Sequence, residues 1–207
     1  MIVKDGFPYI IAAAVLGIAA GLLLHWVFFI LGGIVFIFFV NFFRNPERPI
    51  PPGDVCVSPA DGKVIVVHEL NQDPEGYKHF VSIFMNVFDV HVNRAPIQGT
   101  IQSYEYMPGK FEPASKETAP IRNERNYILI RQDGFHLKMS QVAGLLARRI
   151  VFWKKPGDPG DKGERIGLIR FGSRVDLWLP DQLSLRVKTG DRVKAGSTII
   201  AERTHGN

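Results

Sequence analysis

The chain has 207 residues, 46% of them hydrophobic, and 25 lysines and arginines against 20 aspartates and glutamates give a formal charge of +5. That length suits one soluble domain plus a membrane segment, and the single cysteine, Cys56, excludes an intrachain disulfide. The basic balance suits an anionic partner; beside a long apolar block, a phospholipid membrane fits that role better than nucleic acid.

The apolar block runs from Pro8 to Phe43 without a single Asp, Glu, Lys or Arg. One membrane span takes about 20 residues, so the block predicts two helices, over 8–24 and 27–43, divided at His25-Trp26. A helical hairpin, or one span with a re-entrant arm, accounts for it. Gly17-Ile18-Ala19-Ala20-Gly21 offers a small-residue face for close helix packing. A cleaved signal peptide has an apolar region of only about 7–15 residues, shorter than this one. Lys4 before the block and Arg44 and Arg48 after it place both ends on the cytoplasmic side of a cell membrane. Residues 1–43 therefore read as an anchor, and 44–53 (RNPERPIPPG) as an extended proline-rich linker.

Residues 54–207 read as one mainly β domain with little helix. Strands are expected at Val55–Val57 and Lys63–Glu69, on either side of the turn Pro59-Ala60-Asp61-Gly62. Phe80–Asn93 reads as one or two strands and Gly99–Met107 as another. Lys110–Arg125 reads as a long loop. Asp133-Gly134 signals a hairpin between Tyr127–Arg131 and Phe135–Val142. Ala143–Ile150 reads as a helical turn or a continuing strand, and Trp153–Glu164 as a charged loop. Two turns near Gly190 and Gly196 divide short strands in 184–202. Cys56, between two valines, reads as a buried small hydrophobe.

In Gly163–Pro180 (GERIGLIRFGSRVDLWLP) the pair Gly172-Ser173 interrupts an otherwise strand-like run. A glycine there suggests a bulge or a close backbone approach. Ser173 beside it is either a solvated hydroxyl or a nucleophile, the latter if a base reaches it. His91 is the best-placed histidine: on a strand, Asp89, His91 and Asn93 share one face and Phe88, Val90 and Val92 the other. A half-exposed histidine on a sheet surface is the competing reading. Asp61 sits in Asp-Gly turn chemistry, and Asp89 is a local alternative as the acid beside His91. No histidine pair has zinc-ligand spacing with cysteine, so no metal is expected. The basic residues Arg148, Arg149, Lys154, Lys155, Lys162, Arg165, Arg170 and Arg174 read as solvated surface or as an attraction for anionic headgroups. Trp153 and Trp178 either pack or dip into an interface.

The segment IGLIRFGSRVDLWLP resembles the processing segment of the phosphatidylserine decarboxylases, in the short form that carries Gly-Ser. SPADGKV (58–64), FDVHVNRAP (88–96), PGKF (108–111), NERN (123–126) and QVAGLLARRIV (141–151) resemble the same family, in its order, across most of the chain beyond residue 44. The resemblance implies self-cleavage between Gly172 and Ser173 into fragments 1–172 and 173–207. It implies that Ser173 becomes a covalent pyruvoyl group, the cofactor for decarboxylating phosphatidylserine to phosphatidylethanolamine. It further implies an Asp–His–Ser arrangement in which Asp61 orients His91 and His91 activates Ser173. The implied fold is mainly β (α+β), a hybrid β-barrel or sandwich-like catalytic domain behind a transmembrane helical hairpin. A homodimer is one assembly open to it. Longer bacterial members carry a second histidine where this chain has Phe88, so any role of that histidine does not transfer. The competing class is a non-catalytic, membrane-anchored adaptor or carrier. For it, VKTGDRVKAG (187–196) resembles the turns of lipoyl-like barrels, although no Met-Lys or Asp-Lys turn offers a lysine for a prosthetic group.

Overall fold

A computed structural model describes residues 1–110, 123–144, 150–170 and 173–204. The chain divides into two compact units, Met1–Glu47 and Arg48–Asn207.

The first unit is a helical hairpin. After a 3-10 turn at Lys4–Gly6 come α1 (Phe7–Leu23) and α2 (Val27–Phe42). Pro8 lies in the first turn of α1, where its missing N–H costs nothing. At the break, His25 Nδ1 accepts the Val27 amide at 3.3 Å. The helices meet through glycine: a Cβ on Gly17 would lie 2.7 Å from the Gly32 Cα. Gly21, the other end of the small-residue face, meets the Phe29 ring instead. The open end of the hairpin is closed by the Val3 amide on the Phe43 carbonyl (3.1 Å) and by Tyr9 stacked on Phe43. Ile11, Leu16, Leu22, Ile34 and Ile37 point outward, exposed. Lys4–Leu23, 20 residues, is long and apolar enough to cross a membrane; α2 is shorter.

The second unit is a β domain. Its strands are β1 (Val55–Val57), β2 (Gly62–Glu69), β3 (His79–Met85), β4 (Val92–Arg94), β5 (Gly99–Met107), β6 (Arg125–Gln132), β7 (Phe135–Ala143), β8 (Ile150–Phe152), β9 (Pro159–Gly160), β10 (Arg165–Ile169), β11 (Ser173–Leu179), β12 (Leu183–Leu185), β13 (Arg192–Val193) and β14 (Ile199–Arg203). An eight-stranded curled sheet has the order β13-β2-β3-β11-β7-β6-β5-β9. Two three-stranded sheets, β4-β10-β8 and β1-β14-β12, complete it. Alternation sets the core: Val175, Leu177 and Leu179 of β11 face inward with Val81 and Ile83 of β3 and Leu137 and Met139 of β7, all fully buried. The β6–β7 hairpin turns at Asp133-Gly134, with Gly134 at φ +90°. Most expected strands form, with ends shifted by a residue or two. The expected loop over 110–125 and the helical turn over 143–150 lie mainly outside the described residues.

Two sequence expectations differ from the fold. Phe80–Asn93 holds two strands, β3 and β4, as one of the two readings had it, but the alternating face expected for Asp89, His91 and Asn93 does not form, because the chain turns at Asn86–Asp89. Asp89 Oδ2 accepts the Asn86 amide (2.9 Å) and Asn86 Oδ1 accepts the Phe88 amide (2.8 Å). These side chains compete with the ladder for backbone donors, which is turn chemistry. Asp89, Val90, His91, Val92 and Asn93 are consequently all buried, and Phe88 is exposed. Nor is 166–179 one strand with a bulge. β10 lies in the sheet with β4 and β8, whereas β11 is a central strand of the large sheet. The chain changes sheets just before Ser173.

Candidate active site

Ser173 opens β11, opposite Met85 on β3 and Ala143 on β7. Its side chain faces inward and is fully buried. Its Oγ donates to Met85 Sδ at 3.4 Å. The same sulfur receives Asn93 Nδ2 at 3.8 Å. Behind Asn93 stand two more buried amides: Gln141 Nε2 donates to Asn93 Oδ1 (2.8 Å), and Asn126 Nδ2 donates to Gln141 Oε1 (3.1 Å).

His91 lies in the crossing between the turn and β4 and is buried. Its Nδ1 is 2.9 Å from the Asp89 carbonyl, and its own carbonyl accepts the Ile169 amide at 3.3 Å, tying it to the end of β10. A carbonyl only accepts, so Nδ1 carries the proton and Nε2 is the basic nitrogen.

Asp61 occupies its expected turn, largely buried. One oxygen accepts the Ala195 amide at 2.8 Å and the other pairs with Arg48 at 2.6 Å. Burial pushes its carboxyl above the usual range. The Ala195 amide and the Arg48 guanidinium pull it back, and the nearby Asp89 carboxylate pushes it up again. Among the described residues, then, Asp61 is held by Arg48 and Ala195 rather than by the imidazole. The Asp89 carboxylate is occupied by the Asn86 amide and by Arg192 at 2.8 Å. Gly172, the residue before Ser173, lies outside the described residues.

The other candidates separate. Arg174 is not solvated surface: it is buried and paired with Asp176 at 2.6 Å. Lys154 pairs with Glu164, and Arg148 and Arg149 lie outside the described residues. Trp178 packs between Phe80 and Tyr127 with the Lys138 ammonium 5.0 Å from its ring, while Trp153 is more open. Cys56 is buried, and burial drives its thiol far above its ordinary range, which makes it inert packing. No group of three metal-ligating side chains gathers among the described residues.

Sequence reasoning gave no site role to Arg48, Met85, Asn93, Gln141 or Asn126, and named Asn93 only as sharing a strand face with His91. Arg48 read only as a flanking charge of the apolar block. The others come from four strands, Met85 from β3, Asn93 from β4, Asn126 from β6 and Gln141 from β7, and meet only when the two sheets come together.

A buried serine opens a central strand of the large sheet, and a buried imidazole lies on the crossing tied to the end of β10, within one β domain. Comparison with known proteins gives the family. The phosphatidylserine decarboxylase family matches residues 35–201. A phosphatidylserine decarboxylase proenzyme of Solibacter usitatus is 48% identical over 206 residues, covering 98% of this chain and 97% of the relative. The proenzyme of Symbiobacterium thermophilum is also 48% identical, covering 97% and 94%. That of Cupriavidus pinatubonensis is 42% identical, covering 98% and 95%. The chain belongs to the phosphatidylserine decarboxylase family.

Proposed function

We propose that this chain is the proenzyme of a pyruvoyl-dependent phosphatidylserine decarboxylase, which cuts itself between Gly172 and Ser173 and then converts phosphatidylserine to phosphatidylethanolamine. The observation that carries this is Ser173 itself: a fully buried hydroxyl at the sheet junction, in a chain that matches the family over residues 35–201.

His91 acts as the base. With the proton on Nδ1 facing the Asp89 carbonyl, Nε2 takes the Ser173 hydroxyl proton as Oγ adds to the Gly172 carbonyl carbon. The Gly172–Ser173 amide bond breaks and an ester replaces it. Elimination across Cα–Cβ of residue 173 releases Gly172 as a carboxylate. The dehydroalanine left behind takes up water and loses ammonia, which leaves the pyruvoyl group at the head of fragment 173–207. Asp61 orients and stabilises the charged imidazole in the reacting arrangement, after exchanging its contact with Arg48.

The surroundings of Ser173 fit such a group. Met85 and Ala143 flank it, both uncharged and buried, and they leave a small neutral carbonyl in a dry setting. The pyruvoyl group supplies an electrophilic carbonyl that takes the amine of the substrate and draws electrons as carbon dioxide leaves. The chain holds that carbonyl in place and excludes water from it.

Residues 8–43 anchor the protein in the cell membrane, with the β domain on the cytoplasmic face. The exposed apolar side chains of the hairpin and the charges at Lys4 and Arg44 support this reading.

The test is the mass of the purified full-length protein. Wild type should give a fragment 1–172 and a fragment 173–207 with a blocked N-terminus. Ser173→Ala and His91→Ala should each stay one intact chain. Decarboxylation by an intact, unmodified chain would sink the proposal.

A further inference from the structure

Four side chains around Ser173 have no part in the reaction described above: Met85, Asn93, Gln141 and Asn126. All four are fully buried. They form one directional chain, Asn126 to Gln141 to Asn93 to Met85 Sδ, and Ser173 Oγ donates to the same sulfur. Three primary amides without exposure to water are costly unless they are paired, and paired they hold one another in a single arrangement.

A methionine in a core is ordinarily adaptable filler, with three soft torsions. Met85 is not free to behave so, because Asn93 directs an N–H at its sulfur. The Gln141 amide sits tightly packed as well: a Cβ added at Gly167 would lie 3.2 Å from its Nε2. The sulfur is thus a fixed point.

A thioether is a weak acceptor and carries no proton of its own. As a partner for a nucleophilic hydroxyl it does two things. It selects the serine rotamer, since Met85 Sδ is the hydrogen-bond partner of Oγ among the described residues. It also holds the O–H loosely, so transfer to a base gives up little. A carboxylate or carbonyl in that place would grip the proton more strongly.

We propose that Met85 is a positioning residue for self-cleavage: its sulfur, fixed by Asn93 and Gln141, sets the orientation of the Ser173 hydroxyl in the proenzyme. This rests on the self-cleavage proposed above.

The experiment replaces sulfur and nothing else. In a full-length chain carrying Met107→Leu and Met139→Leu, Met85 is the only internal methionine. That chain is produced with methionine, selenomethionine or norleucine, and the appearance of fragments 1–172 and 173–207 is timed after synthesis. Selenomethionine should cleave at the methionine rate. Norleucine, which has a methylene in place of sulfur, should cleave about fivefold more slowly, the rate equivalent of one weak hydrogen bond, at an unchanged melting temperature. Equal rates for norleucine and methionine would show that Met85 only packs, and would overturn the inference while leaving self-cleavage intact. Absence of fragments in all three preparations would instead remove the self-cleavage reading, and this inference with it.

A second measurement does not depend on rate. With a ¹³C-labelled methionine methyl group, the Met85 resonance is compared between the two arrested precursors, His91→Ala and Ser173→Ala. It should move when the hydroxyl is removed. An unmoved resonance would likewise overturn the proposal.

Discussion

Two Arg–Asp pairs in the β domain close at the same distance, 2.6 Å, yet they are built differently. Arg174 and Asp176 stand two residues apart on the outward side of β11, their side chains 5% and 0% exposed. Asp176 lies across from Ser82 on β3 and Ser140 on β7, in the middle of the large sheet. Arg48 and Asp61, 12% and 13% exposed, meet from a linker and a turn, neither in a ladder. In both pairs burial is the largest influence and pushes the carboxyl up. The difference lies in where the partners are rooted. The first stands on a strand laddered on both sides, with its carboxylate fully shut off from water. The second joins a linker to a turn, outside any ladder, and its acid is the one proposed to serve His91. A buried ion pair on a central strand suits a part in the fold; one made from a linker suits the exchange of partners proposed for Asp61.

The largest expected effect is on the pair in the sheet. Asp176→Asn leaves Arg174 buried without its counter-charge, and breaking such a pair costs about 3–5 kcal/mol. Thermal unfolding of the uncleaved Ser173→Ala protein should show this as a large drop in melting temperature. Replacing both partners, Arg174→Met with Asp176→Leu, should recover most of it, because no unpaired charge remains. Both proteins, with Ser173 restored, should still cleave themselves at temperatures where they are folded. Loss of cleavage in the folded double variant would give this pair a part in the chemistry and erase the contrast.

Asp61→Asn comes next. Asparagine keeps the turn and can still accept the Ala195 amide, so stability should change little. Self-cleavage should slow by about a hundredfold or more, the range for removing a participant in proton transfer. Asp89→Asn is the comparison. It alters the contacts to Asn86 and Arg192 but not the backbone carbonyl that faces His91, and it should cleave at close to the normal rate. Failure in Asp89→Asn with normal cleavage in Asp61→Asn would transfer the acid's role to Asp89. Precursor and fragments followed over time decide it.

What the sequence made legible was local. Asp133-Gly134 announced its hairpin, glycine and proline marked the turns, and the uncharged block before Arg44 gave the helices. The ordered motifs gave the family, with Asp61, His91 and Ser173 among them. Hydrophobic period cannot say which sheet a strand joins, so β10 and β11 read as one strand when they belong to two. Alternation also failed at 86–91, where Asn86 and Asp89 take backbone donors and fold the strand into a turn. The chain of buried amides was out of reach for a related reason. Ser173 and Met85 are separated by 88 positions, and Asn93 and Gln141 by 48. No spacing rule covers such pairs, and each polar side chain alone reads as surface.

The smallest expected effect is the pH dependence of the linker-held pair, and its sign is informative. Folding raises the Asp61 carboxyl because burial disfavours its charged form. Well below the ordinary aspartate value, about 3.9, the group is protonated in both folded and unfolded chains and contributes no pH dependence. Above it the unfolded chain releases the proton while the folded protein keeps it, so stability falls as pH rises through the raised value. One such group contributes a slope of at most about 1.4 kcal/mol per pH unit. The amide introduced by Asp61→Asn does not titrate. The difference in melting temperature between the uncleaved Ser173→Ala protein and the same protein with Asp61→Asn isolates this term, since other carboxyls cancel. That difference should move against the aspartate protein as pH rises from about 4 toward neutrality, through the window above the ordinary value. Arg48→Met should extend the trend to higher pH, because Arg48 pulls the carboxyl down. If the aspartate protein instead gains on its Asp61→Asn counterpart as pH rises, the arginine outweighs burial. Arg48–Asp61 would then be a stabilising ion pair, and opening it to serve His91 would carry a cost that the pair in β11 was supposed to bear alone.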